Sequence, residues 1–499
     1  MKLYLQGNDF HFELENISRL FLPQEKIVTQ VVETLPAPAP TDGVQAFCCM
    51  AADAQGVHLC CRLVLDGFDE QQETLLPPAS PADECELWLC TLLYHLLVKL
   101  LGFTQKWGLV TGVRPVKLLR RLVREQGEAA ALAYLRDRLL VSEEKTALCR
   151  QTLGVEDELL ALSAPNSFSL YVSIPFCPTR CDYCSFVSQT VVQARRLIPT
   201  YVEQLCRELA YTGGLAARLG LRLETVYFGG GTPTTLSPEQ LSRLLDTVER
   251  CFDLSHLREY TVEAGRPDTV TREKLEVIRR AGVGRVSINP QTLQQPVLDA
   301  IGRRHTVEQF YTAFDLARQV GFANVNTDLI AGLPGDTYAG FADTLERILQ
   351  LQPESVTVHT LSMKRASNLM LQHRADYRVK DDAVRMVQLS ADRLPVAGYR
   401  PYYLYRQSRT VGNQENVGWA KPGFEGLYNV YIMDETHTIL ACGAGAVSKL
   451  KKPGSDYLER IFNYKFPYEY NTGLEEMLAR KNAVPEFYEK HCKTACADV

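Results

Sequence analysis

An α/β fold built on a parallel sheet is what this sequence predicts, on three observations. From residue 168 onward an apolar strand, a loop and an amphipathic helix recur in tandem, often closed by a glycine. Six such strands can be read: SLYVSI, ETVYFG, EYTVEAG, RVSINPQ, NVNTDLIAG and SVTVHT. Polar or glycine positions recur at their C-terminal ends, where folds of this kind keep their chemistry. Six tandem strand–helix units imply a parallel sheet with helices outside, open or closed like a barrel.

At 499 residues the chain exceeds one ordinary core, so more than one unit is expected. Residues 1 to about 80 read as short strands, KLYLQG, FHFELEN, VQAFCCM and VHLCCRLVL, separated by turn-rich pieces such as APAPTDG. Residues 83 to about 160 read as mainly helical, with TGVRP at 111–115 breaking one helix before the next. Together residues 1–163 form an expected α+β domain that ends in the linker-like LSAPNS. In the array that follows, Ser237-Pro238-Glu239-Gln240 predicts a helix start with a capping box, and Thr271 predicts another cap. Ala281-Gly282 and Val320-Gly321 predict helix ends just before new strands. Phe341, Leu345, Ile348 and Leu349 mark one face of a helix over about 338–350. Of the polar strand ends, Glu263 is expected to close the third strand, Gln291 the fourth, Asp328 the fifth and His359-Thr360 the sixth.

A formal net charge of −5 gives no general pull toward nucleic acid or an anionic membrane. The N-terminus carries no targeting pattern. The greasiest run, Leu87 to Leu101, contains His95 and Lys99 and is shorter than the roughly 20 residues of a membrane span, so a buried helix in a cytoplasmic protein is expected. Fifteen cysteines, an odd number without a secretion signal, argue for reduced thiols, some of them ligands. Cys48–Cys49 and Cys60–Cys61 read as small buried hydrophobes in strands, and Cys149, Cys206 and Cys251 as helix core. Cys492 and Cys496 of HCKTAC could bind a metal with His491, and a frayed tail is the plainer reading.

The chemistry concentrates in SLYVSIPFCPTRCDYCSF, which puts Cys177, Cys181 and Cys184 on the loop after the first strand of the array. Three thiolates can fill three corners of a four-iron cluster and leave one iron open to chelate a small molecule. Zinc is the competing reading: a structural zinc takes four ligands, and no fourth is visible nearby. Phe176, Tyr183 and Phe186 suit a dry surround and would serve equally as core. Gly229-Gly230-Gly231 ends the second strand, where glycines let a ligand approach backbone amides and carbonyls. A tight turn is the plainer alternative.

CPTRCDYC has the CxxxCxxC spacing of radical S-adenosylmethionine (SAM) enzymes, and FGGGTPT resembles their glycine motif. The set LYVSIPFC, CDYCSF, GGGTPT, TVEAGRPD, VSINPQTL, IGRRHT and TDLIAGLPGDT resembles the oxygen-independent coproporphyrinogen III dehydrogenase family over 168 to about 450. GVRPVK, VGWAKPGFEGLYNVYIM and CGAGAVSK resemble its longer branch, called HemZ, and extend the likeness to nearly the full chain. The resemblance implies a radical SAM core at 164–400, a partial (β/α)6 barrel, between the N-terminal domain and a small α+β extension at 401–499. It implies that Cys177, Cys181 and Cys184 hold a 4Fe–4S cluster and that SAM chelates the open iron. Tyr171, Gly230, Gly231, Thr232 and Glu263 match family positions near SAM. Gln291, Arg303 and Asp328 match residues around a second SAM or the substrate, and Tyr183 matches an aromatic packed near an adenine. Thr360 stands where the family's best-known members carry alanine.

The implied reaction is one-electron cleavage of SAM, hydrogen abstraction beside a propionate carboxylate, and loss of CO2 to leave a vinyl group. Coproporphyrinogen III would thus become protoporphyrinogen IX in porphyrin and haem biosynthesis. Its partners would be the tetrapyrrole and a flavodoxin- or ferredoxin-like electron donor, with no nucleic acid and no membrane span. Carboxylates of that substrate call for convergent cations, and Arg303, Arg304, His305, Lys364, Arg365 and Arg406 are the candidates. Two departures pull apart. Ser185 and Phe186 after the third cysteine resemble the related haem chaperone, a binding and transfer protein on the same scaffold, rather than the dehydrogenases. The chaperone's HNxxYW motif is absent too, with Tyr428 of LYNVYIM in place of its histidine.

Overall fold

The computed structural model describes residues 1–38, 43–362, 380–407 and 409–491. The chain forms two compact units, Met1–Cys149 and Arg150–Val499, the division falling inside the helix Glu143–Leu160.

In the first unit, β1 (Lys2–Gln6), β2 (Val28–Val31), β3 (Gln45–Ala52), β4 (Val57–Leu65) and β5 (Phe68–Leu76) form one sheet in the order β2-β1-β3-β4-β5. β1 runs parallel to β2 and β3, whereas β3, β4 and β5 form an antiparallel meander. Asp66-Gly67 connects Leu65 to its facing partner Phe68, the two-residue turn that an Asp-Gly pair favours. β4 shows the two-residue period: Leu59, Cys61 and Leu63 are buried, and His58, Cys60 and Arg62 point the other way. The buried set packs with Leu89, Leu93 and Leu97 of the helix Ala82–Leu101. That helix is the apolar run expected to be buried, and no described helix is long and apolar enough to cross a membrane. FHFELEN, expected as a strand, is instead the start of a helix, His11–Phe21. Its buried residues Leu14, Ile17, Ser18 and Phe21 repeat at helical spacing, a period visible once ELEN is read together with the following ISRLF.

The second unit is organised on an eleven-stranded sheet. Its members are β6 (Ser167–Ile174), β9 (Arg222–Gly230), β10 (Glu259–Glu263), β11 (Arg285–Ser287), β12 (Asn324–Ala331) and β13 (Ser355–Thr360), joined by β14 (Arg400–Arg406), β15 (Glu415–Ala420), β16 (Thr438–Cys442), β17 (Val447–Lys451) and β18 (Leu458–Phe462). The short β7 (Phe176–Cys177) and β8 (Gln189–Thr190) pair separately beside β6. The six strands expected from the sequence are parallel neighbours, in the order β13-β12-β11-β10-β9-β6. The ladder is open and ends at β14 and β18.

The region from 401 does not stand apart from this sheet. β15 and β14 add antiparallel beside β13, while β16 adds parallel beside β6 and carries the antiparallel β17 and β18. Between the core strands run helices whose starts follow local chemistry. Ser237 with Gln240, and Thr306 with Gln309, form capping boxes, and Thr271 accepts from the Lys274 amide. Gly321, at φ 95°, ends its helix in the left-handed region that glycine enters at no steric cost. In the helix Tyr338–Leu351 the buried face is Phe341, Thr344, Leu345 and Ile348, with Leu349 at its margin.

β11 is shorter than RVSINPQ suggested. It stops at Ser287, because Pro290 has no N–H for the ladder, and Gln291 at φ 70° rejoins β12 through a single bridge to Leu329. Gln291 therefore lies beyond the strand, and Asp328 lies within β12 rather than at its end.

A buried ion pair fastens the last helices to this sheet. Lys481 Nζ lies 3.2 Å from Glu208, both side chains almost wholly buried, and donates to the Ala441 carbonyl at 2.7 Å. Glu208 also accepts from the Gly443 amide, Asn463 and the Tyr470 hydroxyl. Lys481→Met leaves the carboxylate without its counter-charge, an expected loss of about 3–5 kcal/mol. An earlier urea transition for this unit would show it; an unchanged midpoint would mean that the pair contributes nothing net.

Candidate active site

A cavity of about 550 Å³ opens at the C-terminal ends of the parallel strands. Cys177, Cys181 and Cys184 line it, as do Tyr183, Gly230, Gly231, Thr232, Glu263, Gln291, Arg303, Asp328 and Thr360. Thus residues from six strand ends, far apart in sequence, meet around one void. Tyr171 stands a layer behind, stacked on the lining residue Tyr227 at 6.3 Å and on Tyr428 at 5.9 Å.

The cysteine loop is held from two sides. The Asp182 amide donates to the Ile301 carbonyl at 3.0 Å, and the Thr179 hydroxyl donates to that of Gly302 at 3.2 Å. Arg303 donates to the Tyr183 hydroxyl at 2.9 Å, and to the carbonyls of Gly265 and Asn289 at 2.7 and 2.8 Å. One guanidinium therefore ties the cysteine loop to the loops after β10 and β11. These bonds go to protein, so Arg303 organises the site, while it still lines the cavity with its buried Nε unpartnered.

Arg266 does a related task that the sequence reading missed. Its guanidinium forks onto Asp268 at 3.1 Å through two nitrogens, and its third donates to Thr179 and to Cys181 Sγ at 3.6 Å. A basic residue in GRPD, directly after a strand ending in Glu263, was the available signal. Its contact with a cysteine 85 residues earlier was not legible.

The glycine run meets the cysteine loop backbone to backbone. The Gly231 and Thr232 amides donate to the carbonyls of Ile174 and Phe176 at 2.8 and 2.7 Å. These two amides are therefore engaged within the protein, contrary to the expectation of donors offered to a ligand. What glycine permits here is close approach: a Cβ on Gly231 would lie 2.5 Å from the Phe176 carbonyl oxygen. The Thr232 hydroxyl sits 3.6 Å from Cys177 Sγ.

Two carboxyl groups in the cavity have opposite environments. Burial pushes Glu263 up to about 7, with the Tyr227 hydroxyl donating to it at 2.5 Å. Burial works against ionisation of Asp328 too. There His359, whose Nε2 is 3.7 Å away, the Asn326 amide at 2.8 Å and Arg285 outweigh it and hold the carboxyl below its usual range. Near neutral pH one group can keep a proton while the other is a carboxylate, the arrangement that separates acid from base roles.

A raised carboxyl costs stability as it ionises in the fold. Free of ligand, the protein should lose stability relative to Glu263→Gln as pH rises from near 4.5 to about 7, by on the order of 2 kcal/mol. Melting of both proteins across that range checks the sign, and parallel curves would refute it.

Of the other sequence candidates, Thr360 donates its hydroxyl to the Glu415 carbonyl at 2.6 Å and its amide to Asn416 at 2.9 Å. Gln291 lines the void with its buried Oε1 unpaired. Among the cations, His305 is buried behind the lining, Arg304 is exposed, and Arg406 is buried and donates to the Asn413 carbonyl. Lys364 and Arg365 lie outside the described residues, as do Cys492 and Cys496. Missed lining residues include Tyr403, Tyr405 and Asn326, whose signal was their place on strands meeting at this edge.

The donor set suits a cluster: three thiols line one void and can fill three corners of a four-iron centre, leaving one iron open. Burial pushes Cys177 up and Cys184 to about 11, a dry setting for soft, bridged metal. The unpaired Gln291 oxygen and the protonatable Glu263 leave acceptors for an organic ligand's hydroxyl or ammonium groups beside it.

Residues 171–348 match the model of the radical SAM superfamily. An oxygen-independent coproporphyrinogen-III oxidase-like protein of Bacillus subtilis (strain 168), HemZ, is 35% identical over 99% of this chain and 100% of the relative. The heme chaperone HemW of the same organism is 32% identical over 60% of this chain and 77% of its own. Coproporphyrinogen III oxidase (HemN) from Escherichia coli, a radical SAM enzyme, superposes with a TM-score of 0.50 at 23% identity, covering 65% of this chain and 73% of that one; this likeness bears on the fold alone. The cysteine-loop cavity at the ends of parallel strands and the end-to-end likeness to HemZ lead to one conclusion: the chain belongs to the radical SAM family of oxygen-independent coproporphyrinogen III oxidase-like proteins, on the HemZ-type branch, with a 4Fe–4S cluster and S-adenosylmethionine as its cofactors.

Proposed function

We propose that this protein oxidatively decarboxylates the propionates of coproporphyrinogen III to vinyl groups. The observation that carries the reading is the single cavity shared by the three-cysteine loop, the glycine run, Glu263, Gln291 and Asp328, on a chain similar to HemZ throughout. Cys177, Cys181 and Cys184 would hold the cluster, and Gly230, Gly231, Thr232, Glu263, Gln291 and Asp328 would surround SAM. When bound, these cofactors supply one-electron cleavage of the sulfonium and so abstraction of a substrate hydrogen. The chain's own residues position and exclude water. Arg303 and Arg266 fix the cysteine loop against the strand ends, and the Tyr171–Tyr227–Tyr428 stack closes the floor, with Tyr227 and Tyr428 at 4.5 Å. Asp328 offers a carboxylate, and Glu263, raised by burial, can keep a proton on its carboxyl oxygen near neutral pH.

A second reading, haem binding and transfer, is supported by the likeness to HemW. Tyr428, where the chaperone motif has histidine, weighs against it, being buried and packed beside the Tyr171 and Tyr227 rings. Anaerobic incubation of the reduced, cluster-loaded protein with SAM and coproporphyrinogen III distinguishes the two. Vinyl products with 5′-deoxyadenosine support decarboxylation, and tight haem binding without turnover supports transfer. The electron donor would be a flavodoxin- or ferredoxin-like protein.

A further inference from the structure

Four cysteines face one another in two layers of the N-terminal sheet. In the antiparallel register of β3 and β4, Cys48 stands opposite Cys61 and Cys49 opposite Cys60. Adjacent positions on a strand point to opposite faces, so one pair looks inward and the other outward. The inner pair is fully buried, its sulfurs 3.2 Å apart and Cys61 Sγ 3.6 Å from the Leu89 carbonyl. The outer pair is half-exposed, and all four thiols are free. This is more specific than the small-hydrophobe role that the sequence suggested.

We propose that Cys49 and Cys60 are a thiol–disulfide exchange site, which low-molecular-weight disulfides oxidise reversibly to a cross-strand disulfide. Directly opposed residues of an antiparallel pair have Cα atoms about 4.5–5.5 Å apart, inside the span of about 4.4–6.8 Å that disulfides bridge. No strand has to separate for the bond to form. The environment also divides the roles. The adjacent Cys60 thiol, stabilising the thiolate of Cys49, brings that residue down to about 7, while Cys60 is driven up by the same contact and by burial. Glu73, directly opposite Cys60 on β5, adds negative charge beside it. Cys49 is therefore the attacking sulfur and Cys60 the resolving one.

In the first step the Cys49 thiolate attacks one sulfur of the small disulfide; a mixed disulfide forms and one small thiolate leaves. Cys60, losing its proton, then attacks Cys49 Sγ, and the second small thiolate departs. Two protein thiols lose two electrons, the small disulfide gains them, and the two thiol protons end on the released thiols. Cys48 and Cys61 have the same register but no solvent access, so they serve as a built-in control.

The test uses the full chain, folded, titrated with oxidised glutathione and then denatured in the presence of the alkylating agent and mapped by mass spectrometry. The expected product is one peptide pair linked through Cys49 and Cys60, reversed by dithiothreitol, with Cys48 and Cys61 still alkylated after denaturation. In Cys60→Ser, Cys49 should stop at a stable glutathione adduct. In the parent, limiting iodoacetamide near neutral pH should label Cys49 ahead of Cys60, and equal labelling of the two would overturn the division of roles. Both thiols remaining alkylatable at every glutathione ratio would overturn the proposal. So would a Cys48–Cys61 link formed in place of the outer one.

Discussion

Cys181→Ala is expected to remove the iron–sulfur chromophore outright. Anaerobic reconstitution should load about four irons per chain in the parent and close to none in the variant, with SAM cleavage falling to background. The reason lies in how the loop is built. Cys181 is the most buried of the three thiols, and it receives the Arg266 guanidinium at 3.6 Å. Its removal leaves two ligands and a buried cation facing an alanine, while the Asp182 amide and Arg303 still hold the loop in place. Loss of the cluster should therefore come with little loss of fold, and far-ultraviolet dichroism should be unchanged. Iron content and broad visible absorbance that survived in the variant would show the ligand assignment to be wrong.

Gly231→Ala should be nearly as damaging by a different route. The new methyl would meet the Phe176 backbone, its carbonyl oxygen at 2.5 Å and its carbon and nitrogen at 2.9 Å. Backbone cannot rotate away as a side chain can, so the glycine run and the cysteine loop must separate. Separation stretches the hydrogen bonds that the Gly231 and Thr232 amides donate to the Ile174 and Phe176 carbonyls and moves Cys177 relative to Thr232. Overpacking of this kind costs about 1–3 kcal/mol. The melting temperature should fall by several degrees, and SAM affinity of the reconstituted protein by about tenfold or more. A variant that melted and bound SAM like the parent would mean that the contact relaxes freely and that close approach is not what glycine supplies here.

Much of the site could be read before any coordinate was known, and the pattern of failures is informative. Three cysteines within eight residues must be spatial neighbours, so Cys177, Cys181 and Cys184 were accessible to a reading of one loop. Arg266 was not, because its partner sulfur lies on a segment 85 residues away. Arg303 is a residue of the cavity lining, as the motif suggests, but the three bonds by which its two terminal nitrogens tie protein loops together depend on distant segments. The one expected strand that became a helix, at FHFELEN, failed because a seven-residue window held too little of the period.

The sequence by itself determined what depends on near neighbours: helix caps such as Ser237 with Gln240, the succession of parallel strands and the cysteine spacing. These follow from backbone chemistry and side-chain periodicity over a few residues. Only the tertiary structure decided that the C-terminal strands extend both edges of the core sheet. It alone set Glu263 and Asp328 apart in protonation within one cavity, and placed Cys49 against Cys60 on the solvent face of another sheet. Those outcomes depend on strand register and on charges and burial contributed by distant segments, and such terms exist only once the chain has packed.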